Sequence, residues 1–332
     1  MKDRWRVCVP LALCLLSAAR VAAQKSAGAT TAFDIPPWAF PTTSPGVARL
    51  RPRLDSVAAL HVPNGERSHT LAEVRDALNP PDWFPASHPA APAVVLHARP
   101  DNKYACGLCH LPDGQGRSEN ATIAGLPQDY FLRQVADIRS GARHSAVKDW
   151  APSANMTVAV LNLTNEEAVA AATYFGGLRV KTRYRVVERA RIPATYELGG
   201  LLAPRLGADS EPIAGRLMEL SNDMERHELR DPGETFTTFV PPGSIASGRR
   251  IAVSAPFTSA SRCATCHGLD LGGIGVVPPI AGRSPAYILR QLIAFRTGAR
   301  STSASGPMQL VAAMLSLGDM VAVAAYAGSR VP

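Results

Sequence analysis

The chain has 332 residues, a formal net charge of +8, 46% hydrophobic and 19% charged residues, and six cysteines. No stretch approaches the roughly 20 consecutive apolar residues a membrane span requires, which argues against a membrane-spanning protein. The charge does not mark a nucleic-acid binder either: Lys2, Arg4, Arg6 and Arg20 against Asp3 supply part of it, and without them +5 remains.

Residues 1–23 read as an export signal. Lys2, Arg4 and Arg6 form its basic start, Val7 to Ala19 its apolar run, and Val21-Ala22-Ala23 a small-residue cleavage site. Cleavage leaves Gln24 first and sends the mature protein, without a membrane span, to the periplasm. Lipid attachment at Cys14 is disfavoured because Leu13 stands where a small residue is expected. Losing Cys8 and Cys14 leaves four cysteines and no thiol for a disulfide framework. Residues 24–92 form a proline-rich extension with one short helical stretch near Leu71 to Leu78, in which Trp38, Trp83 and Phe84 read as packing anchors.

The four remaining cysteines stand in two pentads, Cys106-Gly107-Leu108-Cys109-His110 and Cys263-Ala264-Thr265-Cys266-His267. C-x-x-C-H is the attachment pattern of c-type haem. Each thiol adds across a haem vinyl group, and the adjacent imidazole takes the iron as proximal ligand. A zinc site built from Cys106, Cys109, Cys263 and Cys266 is the rival, but it leaves a histidine after each pair unexplained. Two covalently attached haems follow as cofactors. Their four propionates, each roughly −1, bring the charge of the exported chain to about +1.

The pentads belong to an internal repeat. Ile123-Ala124-Gly125 through Tyr130-Phe131-Leu132-Arg133-Gln134 matches Ile280-Ala281-Gly282 through Tyr287-Ile288-Leu289-Arg290-Gln291 at the offset of 157 that separates His110 from His267, and both runs continue to Gly-Ala-Arg at Arg143 and Arg300. Two haem domains are expected, at 93–179 and 243–332. The segment 180–242, which mixes charges with glycine and proline, is read as the link between them. Each domain should close with a helix, one starting at the capping box Thr164-Asn165-Glu166-Glu167 and the other near Ser316-Leu317-Gly318-Asp319.

A low-reactivity electron carrier needs a sixth iron ligand, and methionine raises the potential. In the first copy Met156 is the candidate, with His144 and Lys148 as rivals. The second copy has no histidine or lysine after His267, leaving Met308, Met314 and Met320. Met308 is preferred because it follows Gly306-Pro307 in a predicted loop and, like Met156, lies 18 residues before a tyrosine, Tyr326 against Tyr174. Each proximal histidine should donate its other ring N–H to a backbone carbonyl. Pro278 and Pro279 are placed to hold that carbonyl in the second copy, where the first has Ala121-Thr122. Tyr130, Arg133, Tyr287 and Arg290, with Arg143 and Arg300, are candidates to hold propionates.

Taken together, Cys106/Cys109/His110, Ile-Ala-Gly, Tyr-x-Leu-Arg-Gln, Gly-Ala-Arg and Met156, with their partners around Cys263, Tyr287 and Met308, resemble the two-domain, two-haem class I cytochromes c of the bacterial cytochrome c-four kind. The resemblance covers about 93–179 and 243–330. It implies an all-α fold of two small helical bundles, each around one haem, and a soluble periplasmic electron carrier. The N-terminal extension and the interdomain segment fall outside the compact family pattern. The expected partners are redox proteins, a donor dehydrogenase or quinol-oxidising complex and an acceptor oxidase or reductase, and not nucleic acid. Two other readings stay open. In a two-haem peroxidase Met156 would dissociate or yield to His144. Alternatively, the chain is the electron-accepting subunit of a periplasmic dehydrogenase.

Overall fold

The structure is a computed structural model that describes residues 33–45, 54–205, 207, 209–254 and 262–332. The expected export signal, with Cys8 and Cys14, lies outside the described residues. Among the described residues the helices of the first half are α1 (Leu71–Val74), α2 (Ala93–Leu96), α3 (Cys106–His110), α4 (Gln128–Arg139), α5 (Ala151–Leu161) and α6 (Asn165–Gly176). Strands β1 (Tyr184–Glu188), β2 (Arg191–Pro193), β3 (Thr195–Leu198), β4 (Leu201–Pro204), β5 (Ser210–Pro212) and β6 (Met218–Ser221) come next, then α7 (Met224–Glu228) and β7 (Phe236–Val240). The chain ends in α8 (Ser244–Arg249), α9 (Cys263–His267), α10 (Pro285–Thr297), α11 (Gly306–Met314) and α12 (Leu317–Gly328).

Capping chemistry starts the repeated helices. Thr164 and Glu167 bond each other's backbone N–H across the first turn of α6, as Ser316 and Asp319 do on α12, so two otherwise orphaned donors are satisfied at each start. Ser284 caps α10, Pro285 enters its first turn, and Gly298 ends it at φ 78°. In the first bundle Val94 and Val95 of α2, Phe131, Val135 and Ile138 of α4, and Ala168, Ala171, Ala172 and Phe175 of α6 share one core. In the second, α12 is buried from Met320 to Gly328 between α8 and α10. Gly248 permits that packing, because a Cβ there would run into the Ala322 carbonyl.

The interdomain segment corrects the all-α expectation. Residues read as a linker form a five-stranded mixed sheet in the order β1-β7-β6-β4-β3, with β2 and β5 paired separately. β1 runs parallel to β7 and β4 to β6, while β6–β7 and β3–β4 are antiparallel. Local signals exist: Phe236, Thr238 and Val240 alternate inward, and Gly199-Gly200, at φ 60° and 104°, closes the β3–β4 hairpin. The strands are only three to five residues long, and β1 finds its partner across the whole insert, so no local window shows the sheet. The helix expected near Leu71 to Leu78 is confined to Leu71–Val74.

The described residues of the extension pack against the rest of the fold. Trp83 is wholly buried with Val62, Val74 and Leu229, half-buried Phe84 lies against that cluster, and half-buried Trp38 packs on the sheet core of Ile192, Met218 and Leu220. Residues 34–332 thus form one compact unit.

Candidate functional site

Both pentads fold into a single helical turn, α3 and α9, which carries the two cysteines and ends on the histidine. His110 is 9% exposed and His267 7%. His110 Nδ1 lies 2.8 Å from the Ala121 carbonyl, and His267 Nδ1 2.8 Å from that of Pro278. A carbonyl only accepts, so Nδ1 carries the proton and the Nε2 lone pair is left for a metal. Burial lowers the pKa of both imidazoles and favours that neutral, ligating form. Although the first copy lacks the proline, Ala121 supplies an equivalent carbonyl at the same distance.

None of the four pentad cysteines is in a disulfide, and burial pushes Cys106 up to about 12 and Cys263 up to about 11. Among the described residues no cluster of three or more histidine, cysteine, aspartate or glutamate side chains is arranged to hold a metal ion, so the four cysteines do not converge as a zinc site would require. Pairs of cysteines engaged in no disulfide, beside an oriented, neutral histidine, fit covalently bound haem at both positions.

Met156 lies on α5, half-buried against the first bundle's core. Met308 is also half-buried, but it stands in the first turn of α11 and not in a loop, because Gly306-Pro307 begins that helix rather than breaking the chain. Met320 is wholly buried in α12, and Met314 is 49% exposed at the end of α11. His144 and Lys148 are exposed, and the His144 ring bonds its neighbour's carbonyl, Ser145 O, at 2.8 Å.

The two Gly-Ala-Arg loops meet. Arg143 and Arg300 pair in an antiparallel bridge, with His144 N donating to Ala299 O and Ser301 N to Ala142 O. Around it each arginine reaches across. Arg143 donates to Gln134 Oε1 (2.9 Å), Tyr287 OH (2.8 Å) and Gln291 Oε1 (3.2 Å). Arg300 donates to Gln291 Oε1 (3.0 Å), Tyr130 OH (3.4 Å) and Gln134 Oε1 (2.7 Å). Burial would raise the Tyr130 phenol, yet the charges of Arg300 and Arg143 bring it below its ordinary value. This concentrated positive field suits anionic groups.

The other two propionate candidates go elsewhere. Arg133 is exposed on α4. Buried Arg290 donates to Ser118 O at 2.6 Å and lies over the Trp150 ring at 4.9 Å, so it clamps the first domain instead of joining Tyr287. Sequence reasoning missed Gln134 and Gln291, although both stand in the repeated run. It also missed Arg283, whose buried guanidinium donates to Pro279 O, Thr122 O and Ala124 O and so ties the second domain to the loop that orients His110. No repeat marks Arg283, since Leu126 occupies its counterpart position.

No family model matches the chain. It is 24% identical over 227 residues to a cytochrome c4 of Pseudomonas aeruginosa, spanning 67% of this chain and 81% of that one. It is 25% identical over 244 residues to a thiosulfate dehydrogenase electron acceptor of Thiomonas intermedia, spanning 73% and 85%. Over 72 residues, 19% of this chain and 79% of the other, it is 38% identical to cytochrome c-554(547) of Halothiobacillus neapolitanus. The chain belongs to the c-type cytochromes, in the two-domain dihaem group of cytochrome c4. It is an electron-transfer protein whose two haems are covalently bound, and its partners are redox proteins.

Proposed function

We propose that Cys106, Cys109 and His110 hold one haem and Cys263, Cys266 and His267 the other, within domains at 93–179 and 243–332, and that Met156 and Met308 complete the two irons. The observation that carries this reading is the matched pair of histidine-to-carbonyl bonds, each 2.8 Å, which presents Nε2 alike in both copies. When bound, the haems supply reversible one-electron chemistry at iron. The chain's own contribution is to fix the imidazole tautomer, exclude water and, with a side chain on each sixth position, leave no place for a substrate. Tyr130, Tyr287, Arg143 and Arg300 are proposed to hold propionates.

The protein then works in the periplasm as a carrier between a donor dehydrogenase or quinol-oxidising complex and an acceptor oxidase or reductase. The Thiomonas relative favours a second reading, an electron acceptor dedicated to one dehydrogenase, and copurification at fixed stoichiometry would distinguish it from a free shuttle. The visible and near-infrared spectra of the exported protein test the ligation. Two haems per chain and a full-strength methionine-to-iron band are expected. The band should fall to half in Met156→Ala or in Met308→Ala and vanish in the double variant, whereas a high-spin signal in the native protein would overturn the reading.

A further inference from the structure

The two pentads align residue for residue at the 157 offset, and their surroundings differ. Around the first, both segments foreign to the compact domain close in. The extension lies directly on α3: Ala105 N donates to Ala77 O, and a Cβ on Gly107 would stand 3.4 Å from Pro80 Cγ. The insert reaches the same turn. Arg230, held at φ 56°, donates to Leu108 O at 2.6 Å and to Val74 O at 3.1 Å. Arg183 donates to Gly116 O at 2.7 Å, and Arg117 to His227 O at 2.9 Å. Extension and insert are joined to each other where the Trp83 indole donates to Leu229 O at 2.9 Å.

Around the second pentad the corresponding positions face outward. Cys266 and Thr265 are exposed where Cys109 is half-buried and Leu108 buried. Leu269 is 81% exposed, Ile274 57% and Val276 47%. Their counterparts are Pro112 and Arg117, both buried, and half-buried Glu119. Between Cys263 and Ala281 the sequence holds one carboxylate, Asp270, which is used to accept Gly272 N. Exposed apolar side chains beside a redox centre, in a stretch nearly without charge, match the weakly charged core of a transient protein interface.

We propose that the N-terminal extension and the inserted sheet together form a permanent cap over the first site, and that redox partners dock at the second, on the rim of Leu269, Ile274 and Val276. The partner this rim fits is a redox protein whose own centre lies behind an apolar, uncharged patch. The inference rests on the haem assignment above, and haem content measured on the same sample separates failure of that assignment from failure of this one.

Two measurements decide it. In the reduced holoprotein a freely diffusing gadolinium chelate should broaden the thioether-bridge proton resonances of the second haem and leave those of the first sharp; equal broadening would overturn the cap. In stopped flow, the reduced holoprotein is oxidised by a blue-copper protein with an uncharged apolar patch over its copper. The second-order rate should change less than about twofold between about 20 and 500 mM NaCl. It should fall at least about tenfold in the Leu269→Glu/Ile274→Glu variant with unaltered spectra, and hold in Val57→Glu, a substitution on the exposed surface of the extension. An unaffected rate in the double variant, or concentration-dependent dimerisation through this face in sedimentation, would overturn the docking assignment.

Discussion

The two copies of the haem domain share their pentads, their histidine-to-carbonyl bonds and their terminal capping boxes, but not their neighbours. His110 sits in a loop gripped by Arg183 and Arg230 from the insert and by Arg283 from the other domain. His267 sits in a loop that turns Leu269, Ile274 and Val276 outward. The two copies therefore share the way each histidine is oriented and differ in how far the surrounding loop is covered. Segments that look like connecting material decide which centre a partner can approach.

The largest expected break in this contrast is Trp83→Ala. Its indole is fully buried where extension and insert meet, and losing it removes about 3–5 kcal/mol of packing together with the bond to Leu229 O. Urea unfolding should show that loss, and the first haem should become sensitive to the gadolinium chelate. Loss of stability without new sensitivity would mean the cap does not depend on this joint.

The sheet also reaches the second bundle, through Glu219. The carboxyl of this β6 residue accepts from Ser284 Oγ (2.7 Å) and Ala286 N (3.3 Å) at the start of α10 and from Thr238 Oγ1 (3.1 Å) of neighbouring β7, with Arg290 and Tyr184 nearby. Burial raises it from 4.5 to about 7. The native state thus keeps a proton that the unfolded chain releases, and stability present below pH 4.5 is lost as pH rises towards 7, on the order of 3 kcal/mol in all. Glu219→Gln should flatten that decline in urea titrations; an unchanged slope would assign it to other groups. Glu119 acts in a separate window. Burial raises it, but the charges of Arg117 and His227 outweigh that and hold it at about 2, so its contribution goes only as pH falls from 4.5 towards 2.

The smallest effect sharpens what the copies share. Thr164→Ala and Ser316→Ala each remove the side-chain acceptor of a capping box and should cost about 1 kcal/mol apiece in urea unfolding. A much larger cost at one of them would show that the terminal helices are not equivalent.

Sequence alone pointed to two covalently bound haems, because C-x-x-C-H is a local covalent requirement and the 157-residue offset carries it, with the tyrosines and the Gly-Ala-Arg loops, into both copies. It determined the starts of α6 and α12 as well, since a capping box closes within four residues. Tertiary structure decided the rest. The parallel pairing of β1 with β7 and the crossed reach of Arg143 and Arg300 to the tyrosine of the other copy join groups far apart in the chain. The same holds for the covering of the first pentad by Pro80 and Arg230. Burial and hydrogen bonding depend on which surfaces meet, and no local periodicity encodes that. Two pentads of one pattern therefore become one enclosed centre and one open to partners.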